Sequence, residues 1–121
     1  MKIIIAGGRD FDDYKKLSDY CDYLLQNKNK GEIEIVSGTA KGADKLGELY
    51  AEERGYNIRR FPADWGTYGK GAGYIRNDEM ADYADALIIF WDGKSKGTQH
   101  MIKSADKKGL KLRIYKYGMD S

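Results

Sequence analysis

Apolar residues recur along this chain in two alternating patterns, which predict five strands and four helices. Short apolar runs bounded by glycine, proline or polar residues are typical of buried strands. They occupy residues 2–6, 32–37, 57–61, 86–91 and 111–115. Between them, apolar residues return at three- and four-residue steps, as in a helix with one face packed on a sheet. These helical segments run from Asp12 or Asp13 to residue 29, and over 42–54, 74–83 and 98–108.

Strict alternation of strand and helix predicts an α/β fold with a parallel sheet and right-handed crossovers. The continuous apolar run Ala86–Trp91 suits a strand covered on both faces. We therefore predict a Rossmann-like three-layer sandwich with a five-stranded parallel sheet in the order 3-2-1-4-5. In that order the first and fourth strands are neighbours where the winding reverses, which is where open α/β sheets bind ligands.

Length and charge narrow the class of protein. The 121 residues fit one domain, spanning 1–121. Lysine and arginine number 21 against 19 acidic residues, and this balance disfavours a nucleic acid or a membrane surface as partner. No apolar run reaches the length of a membrane span. The single Cys21 excludes an intrachain disulfide and suits a reducing compartment, so we predict a cytoplasmic protein.

Four glycine-bearing loops follow the predicted strands, at 7–10, 37–44, 64–77 and 93–98. In a parallel sheet such loops share one edge and build one site. Their backbone amides and helix starts suit a phosphate-bearing ligand. The first loop lacks the G-x-G-x-x-G pattern, and Gly69-Lys70 lacks the rest of a P-loop. We therefore predict no dinucleotide, no other cofactor and no metal.

Two of these loops carry charged residues with open alternatives. Arg9 offers a planar fork for phosphate or carboxylate, or it pairs with Asp10 as part of a plain turn. Asp44 opens a helix, where its charge satisfies the positive end of the helix dipole or its carboxylate bonds a ribose hydroxyl. Gly97-Thr98 repeats the arrangement of glycine, hydroxyl and helix start, with a simple N-cap as the alternative.

The helix at 74–83 carries a polar pair that points to the same site. Asn77 shares a face with apolar Met80, so its amide needs partners when buried. A ligand or a neighbouring loop could supply them, and the adjacent Arg76 favours the ligand. His100, the only histidine, falls on the lysine-rich side of its helix and is predicted to be solvated rather than a base.

Taken together, the loop motifs resemble the YspA-type branch of the SLOG superfamily over nearly the whole chain. The motifs that carry the resemblance are Gly7-Gly8-Arg9-Asp10-Phe11, Ser37-Gly38-x-Ala40-x-Gly42-Ala43-Asp44, Ala63-Asp64-Trp65 followed by Gly69-Lys70-x-Ala72-Gly73-x-x-Arg76-Asn77-x-x-Met80, and Gly97-Thr98. The resemblance implies a domain that binds nucleotides or nucleotide-derived signals. It also relates the chain to the LOG phosphoribohydrolases and to the DNA-processing protein DprA.

One departure from the LOG pattern bears on catalysis. In LOG enzymes the loop corresponding to Gly97-Thr98 supplies a glutamate, and here that position holds Met101. A thioether cannot move a proton or stabilise an oxocarbenium-like centre. Hydrolysis of a nucleoside monophosphate would then depend on Asp44, Asp64 or Glu79, with Arg76 as a further catalytic candidate.

The sequence therefore predicts capture of a nucleotide or an ADP-ribose-like ligand, with an N-glycosidase as the alternative and single-stranded nucleic acid binding through the lysines of 94–116 as the weakest. Trp65 or Tyr68 would stack on the base. The predicted ligand-binding residues are Gly7, Gly8, Arg9, Ser37, Gly38, Thr39, Gly42, Asp44, Trp65, Arg76, Asn77, Gly97 and Thr98. Because ten tyrosines and two tryptophans exceed what a small core can bury, and because LOG relatives suggest it, we expect a homodimer.

Overall fold

The structure, a computed structural model, describes residues 1–118 and contains a five-stranded parallel sheet in the order β3-β2-β1-β4-β5. The strands are β1 (Lys2–Gly7), β2 (Glu34–Ser37), β3 (Asn57–Arg60), β4 (Ala86–Trp91) and β5 (Lys111–Lys116). The helices are α1 (Tyr14–Leu25), α2 (Ala43–Arg54), α3 (Trp65–Tyr68), α4 (Ala72–Tyr83) and α5 (Lys96–Lys107). The predicted fold class and strand order are confirmed.

Helices cover both faces of the sheet, and successive residues of the central strands point into the core on one face or the other. Ile3 and Ile5 of β1 pack in one core with Leu17 and Cys21 of α1 and with residues of α2. The next residue, Ile4, points the other way into a second core with residues of α4 and α5. This period of two along the strands separates the two cores. Cys21 is a free cysteine buried in the hydrophobic core, as its helical spacing indicates.

The middle of the sheet sets the position of the ligand crevice. Strand β1 lies between β2 and β4 and pairs in parallel with both, with Ile5 opposite Ile88 and Gly7 opposite Phe90. The crossovers from β1 and β4 leave in opposite directions. The loops that follow these two strands therefore diverge and leave a cleft at the carboxyl edge, as the topological rule requires.

Helix ends follow local chemistry. The Asp13 carboxylate accepts a hydrogen bond of 3.1 Å from the Lys16 amide and caps α1. Gly55 ends α2 in the left-handed conformation. Helix α1 stops at Leu25, short of the predicted residue 29, and a 3₁₀ turn at Lys30–Glu32 precedes β2.

Two predicted irregular segments are more ordered than expected. The predicted loop 62–73 contains the single-turn helix α3 and a 3₁₀ turn at Gly69–Gly71, and α4 begins two residues early, at Ala72. The predicted loose tail at 116–121 begins with the last residue of β5, and Tyr117 donates its amide to the Trp91 carbonyl at 3.0 Å. Residues 119–121 lie outside the described residues. Within residues 1–118, no helix is long and apolar enough to cross a membrane.

Candidate ligand-binding cleft

The predicted loops meet around a cleft of about 480 Å³ at the carboxyl ends of β1 and β4. Such a volume lies within the usual range of small-molecule sites, roughly 300–1,000 Å³. The residues lining it include nine of the predicted ligand-binding set: Gly7, Gly8, Arg9, Asp44, Trp65, Arg76, Asn77, Gly97 and Thr98. The other four predicted residues do not line the cleft: Ser37, Gly38, Thr39 and Gly42. Glu79 is exposed and is not part of it.

Asp44 is the buried acid of the cleft. It lies in the first turn of α2 with only 4% of its surface exposed. Its Oδ2 accepts a hydrogen bond of 3.2 Å from the Ala40 amide. Burial raises the pKa of this carboxyl to about 6, although the Arg76 charge and the Ala40 and Gly7 amides lower it. A pKa raised this far is unusual for an aspartate and common at functional sites.

Arg76 brings a positive charge to the same region from α4. Its Nη1 donates to the Gly38 carbonyl, and its Nε donates to Asn77 Oδ1 at 3.1 Å. Burial lowers the pKa of Arg76, Asp44 raises it, and the nearby Arg9 charge lowers it again. The guanidinium is thus fixed by two acceptors while its charge is opposed by burial and by a second cation.

Gly38 allows the acid and the guanidinium to approach one another. A Cβ at this position would lie 2.7 Å from Asp44 Oδ2 and 2.9 Å from Arg76 Nη1. Both distances are too short for a carbon atom, so any other residue here would displace one of the two groups. The sequence predicts Gly38 as a ligand residue, and the structure places it between the two charged side chains.

The neighbours of Gly38 shape the loop from behind. The Ser37 hydroxyl donates to Glu48 Oε2 at 2.7 Å and accepts from the Thr39 amide at 3.0 Å. This turn holds Thr39 at a positive φ of 63°, uncommon for a residue with a branched side chain. Gly42 then packs against the backbone of Gly8 and Arg9.

The loop after β1 is held by a residue of the C-terminal segment. Gly8 donates its amide to the Phe90 carbonyl at 3.0 Å, and its own carbonyl accepts from the Ala43 amide at 3.1 Å. The Tyr117 hydroxyl donates to Asp10 Oδ1 at 2.6 Å and occupies the space that a Cβ on Gly8 would need. Arg9 itself is exposed and forms no ion pair within residues 1–118, so the predicted alternative of an Arg9–Asp10 pair is not observed.

The loop after β4 is capped by its own side chains. Ser95 Oγ accepts from the Thr98 amide at 3.4 Å and from the Thr98 hydroxyl at 3.0 Å. The Asp92 carboxylate accepts from the Lys94 and Ser95 amides, each at 2.8 Å. Gly97 and Thr98 line the cleft, but the Thr98 amide is engaged by the alternative role predicted for this loop, an N-cap.

Asn77 and His100 form a contact between α4 and α5 that differs from prediction. Asn77 is 6% exposed, and its Nδ2 lies 3.4 Å from the Gly97 carbonyl and 3.2 Å from His100 Nδ1. The His100 ring is stacked on Tyr74, with centroids 4.2 Å apart and planes 10° apart. His100 is half-buried rather than fully solvated as predicted, because α4 packs against this side of α5.

Aromatic and basic residues form the outer wall of the cleft. Trp65 is 52% exposed and Tyr74 is 46% exposed, and both line the cleft together with Lys70. A Cβ on Gly73 would lie 3.7 Å from both Arg76 Nη2 and the Trp65 ring, so the guanidinium and the indole approach the same point. Tyr68, predicted as an alternative stacking residue, is exposed and does not line the cleft. Tyr74 is the tyrosine that lines the cleft.

Of the three carboxylates that line the cleft, Asp92 is bonded to amides of its own loop and Asp10 to the Tyr117 hydroxyl, which leaves Asp44 as the candidate for acid–base chemistry. Met101, where the family resemblance predicts a carboxylate, is buried and lines the cleft. No three His, Cys, Asp or Glu side chains in residues 1–118 come together as a metal site. Lys70, Tyr74, Asp92 and Ser95 are lining residues that sequence reasoning did not assign. Ser95 and Asp92 carry a signal, since the pattern D-x-x-S before a helix is typical of a capping turn.

The fold defines an α/β, Rossmann-like domain with a cleft at the switch point of its sheet. The chain belongs to the YspA, cpYpsA-related SLOG family, whose model matches residues 1–68. It is 33% identical over 115 residues to the Gene 61 protein of Mycobacterium phage D29, covering 90% of this chain and 91% of that protein.

Two solved structures share the fold. DNA processing protein A of Helicobacter pylori, a structure described for its single-stranded DNA binding mode, superposes with a TM-score of 0.71 at 21% identity, covering 100% of this chain and 67% of that one. DprA of Streptococcus pneumoniae gives a TM-score of 0.72 at 17% identity, covering 93% of this chain and 49% of that one. The present chain thus spans about half of the Streptococcus protein.

Proposed function

We propose that this protein binds a nucleotide or nucleotide-derived ligand in the cleft, with the phosphate near Arg9 and Arg76 and the base against Trp65 or Tyr74. The observation that carries the proposal is the environment of the Arg76 guanidinium. Its guanidinium is partly buried, fixed by two acceptors, and faces the charge of Arg9. A bound anion would relieve the repulsion between the two cations, and a guanidinium fork suits phosphate geometry.

Asp44 gives the proposed site a second recognition element. A carboxyl with a pKa of about 6 is partly protonated near neutral pH. It can accept a hydrogen bond from a ribose hydroxyl as a carboxylate, and its burial strengthens that bond. The phosphate belongs on the Arg9 side of the guanidinium, because two anionic groups in a buried space repel one another. Ribose next to Asp44 and phosphate next to Arg9 therefore form the arrangement we expect.

The test begins with the ligand that the protein carries. Mass spectrometry of small molecules released from natively purified protein should find a nucleotide or a derivative. Calorimetry with ADP as probe should then show an affinity loss of roughly 10- to 100-fold in Arg76→Ala, the value of a charge-assisted hydrogen bond, about 1.5–3 kcal/mol.

Arg113→Ala is the matched control, since Arg113 is an exposed arginine of β5 and does not line the cleft. It should leave the ADP affinity unchanged. Failure of the wild-type protein to retain any nucleotide and to bind ADP, AMP or ADP-ribose would contradict the proposal. An Arg76→Ala variant that unfolds while its residual folded fraction binds normally would give Arg76 a structural role only.

A second candidate function is binding of single-stranded DNA. Exposed Trp65, Tyr68 and Tyr74 lie in a short segment that also carries Lys70, and aromatic rings next to cations are the usual platform for unpaired bases. The Helicobacter relative with the same fold is described as binding single-stranded DNA. This segment supports such binding better than the lysines of 94–116, where aromatic residues are sparse.

Competition separates the two candidates. If DNA occupies the nucleotide cleft, an oligo-dT strand should quench Trp65 fluorescence and ADP should displace it. Trp65→Phe serves as the control for the signal, because it retains an aromatic ring while removing the indole. Oligo-dT binding that ADP cannot displace would place the DNA elsewhere on the protein.

The homodimer and the cytoplasmic location stay predictions. Light scattering at high protein concentration measures the first, and we expect twice the mass of one chain.

A further inference from the structure

His100 contacts two residues of the proposed ligand site without lining the cleft itself. Its ring is stacked on Tyr74 with centroids 4.2 Å apart. Its Nδ1 lies 3.2 Å from the amide nitrogen of Asn77. Tyr74 and Asn77 both line the cleft, and both lie on α4, whereas His100 lies on α5. One imidazole of a neighbouring helix thus supports two different parts of the site.

The direction of the hydrogen bond follows from the partners of Asn77. Arg76 Nε carries a hydrogen and can only donate, so the atom of Asn77 that faces it at 3.1 Å must be the carbonyl oxygen. The Gly97 carbonyl can only accept, so the atom that faces it must be the amide nitrogen. His100 Nδ1 faces that same nitrogen and must accept its hydrogen. The contact therefore requires the tautomer with the proton on Nε2.

We propose that His100 is a positioning residue of the ligand cleft. Through Nδ1 it fixes the Asn77 amide, which in turn holds the guanidinium of Arg76. Through its ring it supports Tyr74 against the base. The role rests on the proposed function, and it assigns a separate task to each half of the imidazole: the nitrogen serves the phosphate and the ring serves the base.

Two substitutions separate these tasks. His100→Asn retains an acceptor oxygen near the position of Nδ1 but removes the ring. His100→Phe retains a ring on Tyr74 but removes the acceptor. Pyrophosphate as probe reports on the phosphate side alone, and the gain in affinity of ADP over pyrophosphate reports on the base.

The expected results are opposite for the two variants. His100→Phe should lower pyrophosphate affinity about 5- to 10-fold, the value of one hydrogen bond, and leave the ADP gain unchanged. His100→Asn should retain pyrophosphate affinity within about twofold and lose most of the ADP gain, because the base stacks on a ring that His100 supports. Gln99→Ala, an exposed change one residue away, is the matched control and should alter neither value. Equal losses of both values in both variants would indicate a general packing role and overturn the proposal.

A measurement without ligand tests the contact itself. Long-range nitrogen–proton spectra of the free protein at pH 8 should show the Nε2–H tautomer of His100. His100→Phe should shift the signals of the Asn77 side-chain amide and of Arg76 Nε–H, and Gln99→Ala should not. An Nδ1–H tautomer would overturn the proposal. If the wild-type protein bound neither probe, the proposed function would fail, while the tautomer would still report whether His100 fixes Asn77.

Discussion

Two acids of helix α2 lie one turn apart and are both buried, yet their pKa values move in opposite directions. Glu48 faces β2 and β3. It accepts from Ser37 at 2.7 Å and from Arg60 at 2.9 Å. Burial raises its pKa, but the Ser37 and Arg60 bonds outweigh burial and hold the pKa below its ordinary value. Asp44 faces the cleft, and burial raises its pKa to about 6.

The two acids differ in the hydrogen-bond partners that the protein gives them. Every oxygen of Glu48 has a donor from the protein, so its charge stabilises the fold. Asp44 receives backbone amides only, and the nearby Arg76 donates its hydrogen bonds to Gly38 and Asn77 instead. A buried carboxylate left short of partners destabilises a protein at neutral pH. Such a cost at the floor of a cleft is typical of a group that meets its partner in a ligand.

The largest expected effect is a loss of stability on changing Glu48, the acid whose partners all come from the protein. Glu48→Gln removes the charge that Arg60 and Ser37 bind. Breaking a buried pair costs about 3–5 kcal/mol, and because Arg60 is half exposed we expect a loss of about 2–3 kcal/mol in the free energy of unfolding at pH 7. Urea unfolding measures this loss.

The pH dependence provides the control for Glu48. A lowered pKa contributes stability above the ordinary value of 4.5, and that stability is lost as pH falls through the folded-state pKa. The difference between the variant and the wild-type protein should therefore shrink as pH falls below 4.5 and disappear once pH passes below the lowered folded-state pKa. A difference that persists unchanged at low pH would mean that packing, not charge, explains the loss.

Asp44→Asn should have the opposite sign. Because the folded state raises the pKa from 3.8 to about 6, the ionised form destabilises the folded protein above pH 6, by an amount that corresponds to about 3 kcal/mol at full ionisation. We expect the variant to be about 2–3 kcal/mol more stable at pH 8, since the raised pKa already includes the attraction between Asp44 and Arg76. The gain should fall by about half at pH 5 and vanish below about pH 4.

A measurement of ADP binding tests whether Asp44 serves the ligand. The same variant should bind ADP more weakly than the wild-type protein, as expected of a group that gives up stability for function. A destabilised Asp44→Asn at pH 8 would make Asp44 a second structural acid and remove the contrast with Glu48.

The fold could be predicted because it depends on patterns that are local in sequence. The run of three isoleucines before Gly7 and the continuous run at 86–91 each indicate a buried strand. The alternation with helices then restricts the topology to a few parallel orders. Helix α3 was missed because a single turn is too short to show a period, although Asp64 carries its N-cap, accepting from the Thr67 amide at 3.1 Å.

Cleft residues could be predicted only where the sequence of a single loop indicates what that loop binds. Glycines and arginines in the strand-end loops marked the site, and five of the seven that were predicted as ligand-binding residues line it. The roles of His100 and Tyr117 depend on which elements lie side by side. On its own helix His100 is grouped with lysines, and it becomes half-buried only because α4 packs against α5. No periodicity within α5 contains that information.

A third acid, Asp10, tests the comparison at the rim of the cleft. It accepts the Tyr117 hydroxyl at 2.6 Å, and burial together with this bond raises the pKa of that phenol. Tyr117→Phe removes the bond but retains the ring against Phe11. We expect less than about 1 kcal/mol of lost stability, because Asp10 is exposed, and a two- to fivefold loss of ADP affinity as the loop carrying Arg9 loosens.

The matched control is Tyr23→Phe, which removes a hydroxyl from an exposed tyrosine of α1. It should change neither stability nor affinity. A large loss of stability in Tyr117→Phe with normal ADP affinity would mean that the Tyr117–Asp10 hydrogen bond stabilises the fold, as the bonds of Glu48 do.

The smallest expected effect is catalytic. If Asp44 acted as an acid or base, the contrast with Glu48 would be one of catalysis rather than binding. Hydrolysis needs a second group at the reacting carbon, and Met101 occupies the position where the LOG pattern supplies a carboxylate. Losing a positioned acid or base lowers a rate by about 10²–10⁴-fold. The other cleft carboxylates are engaged, since Asp92 binds two amides of its own loop and Asp10 binds Tyr117. Incubation with AMP followed by chromatography should therefore leave the nucleotide intact in the wild-type protein and in Asp44→Asn alike. Release of adenine that Asp44→Asn abolishes would show that a single buried acid suffices, and it would replace the binding role of Asp44 with a catalytic one.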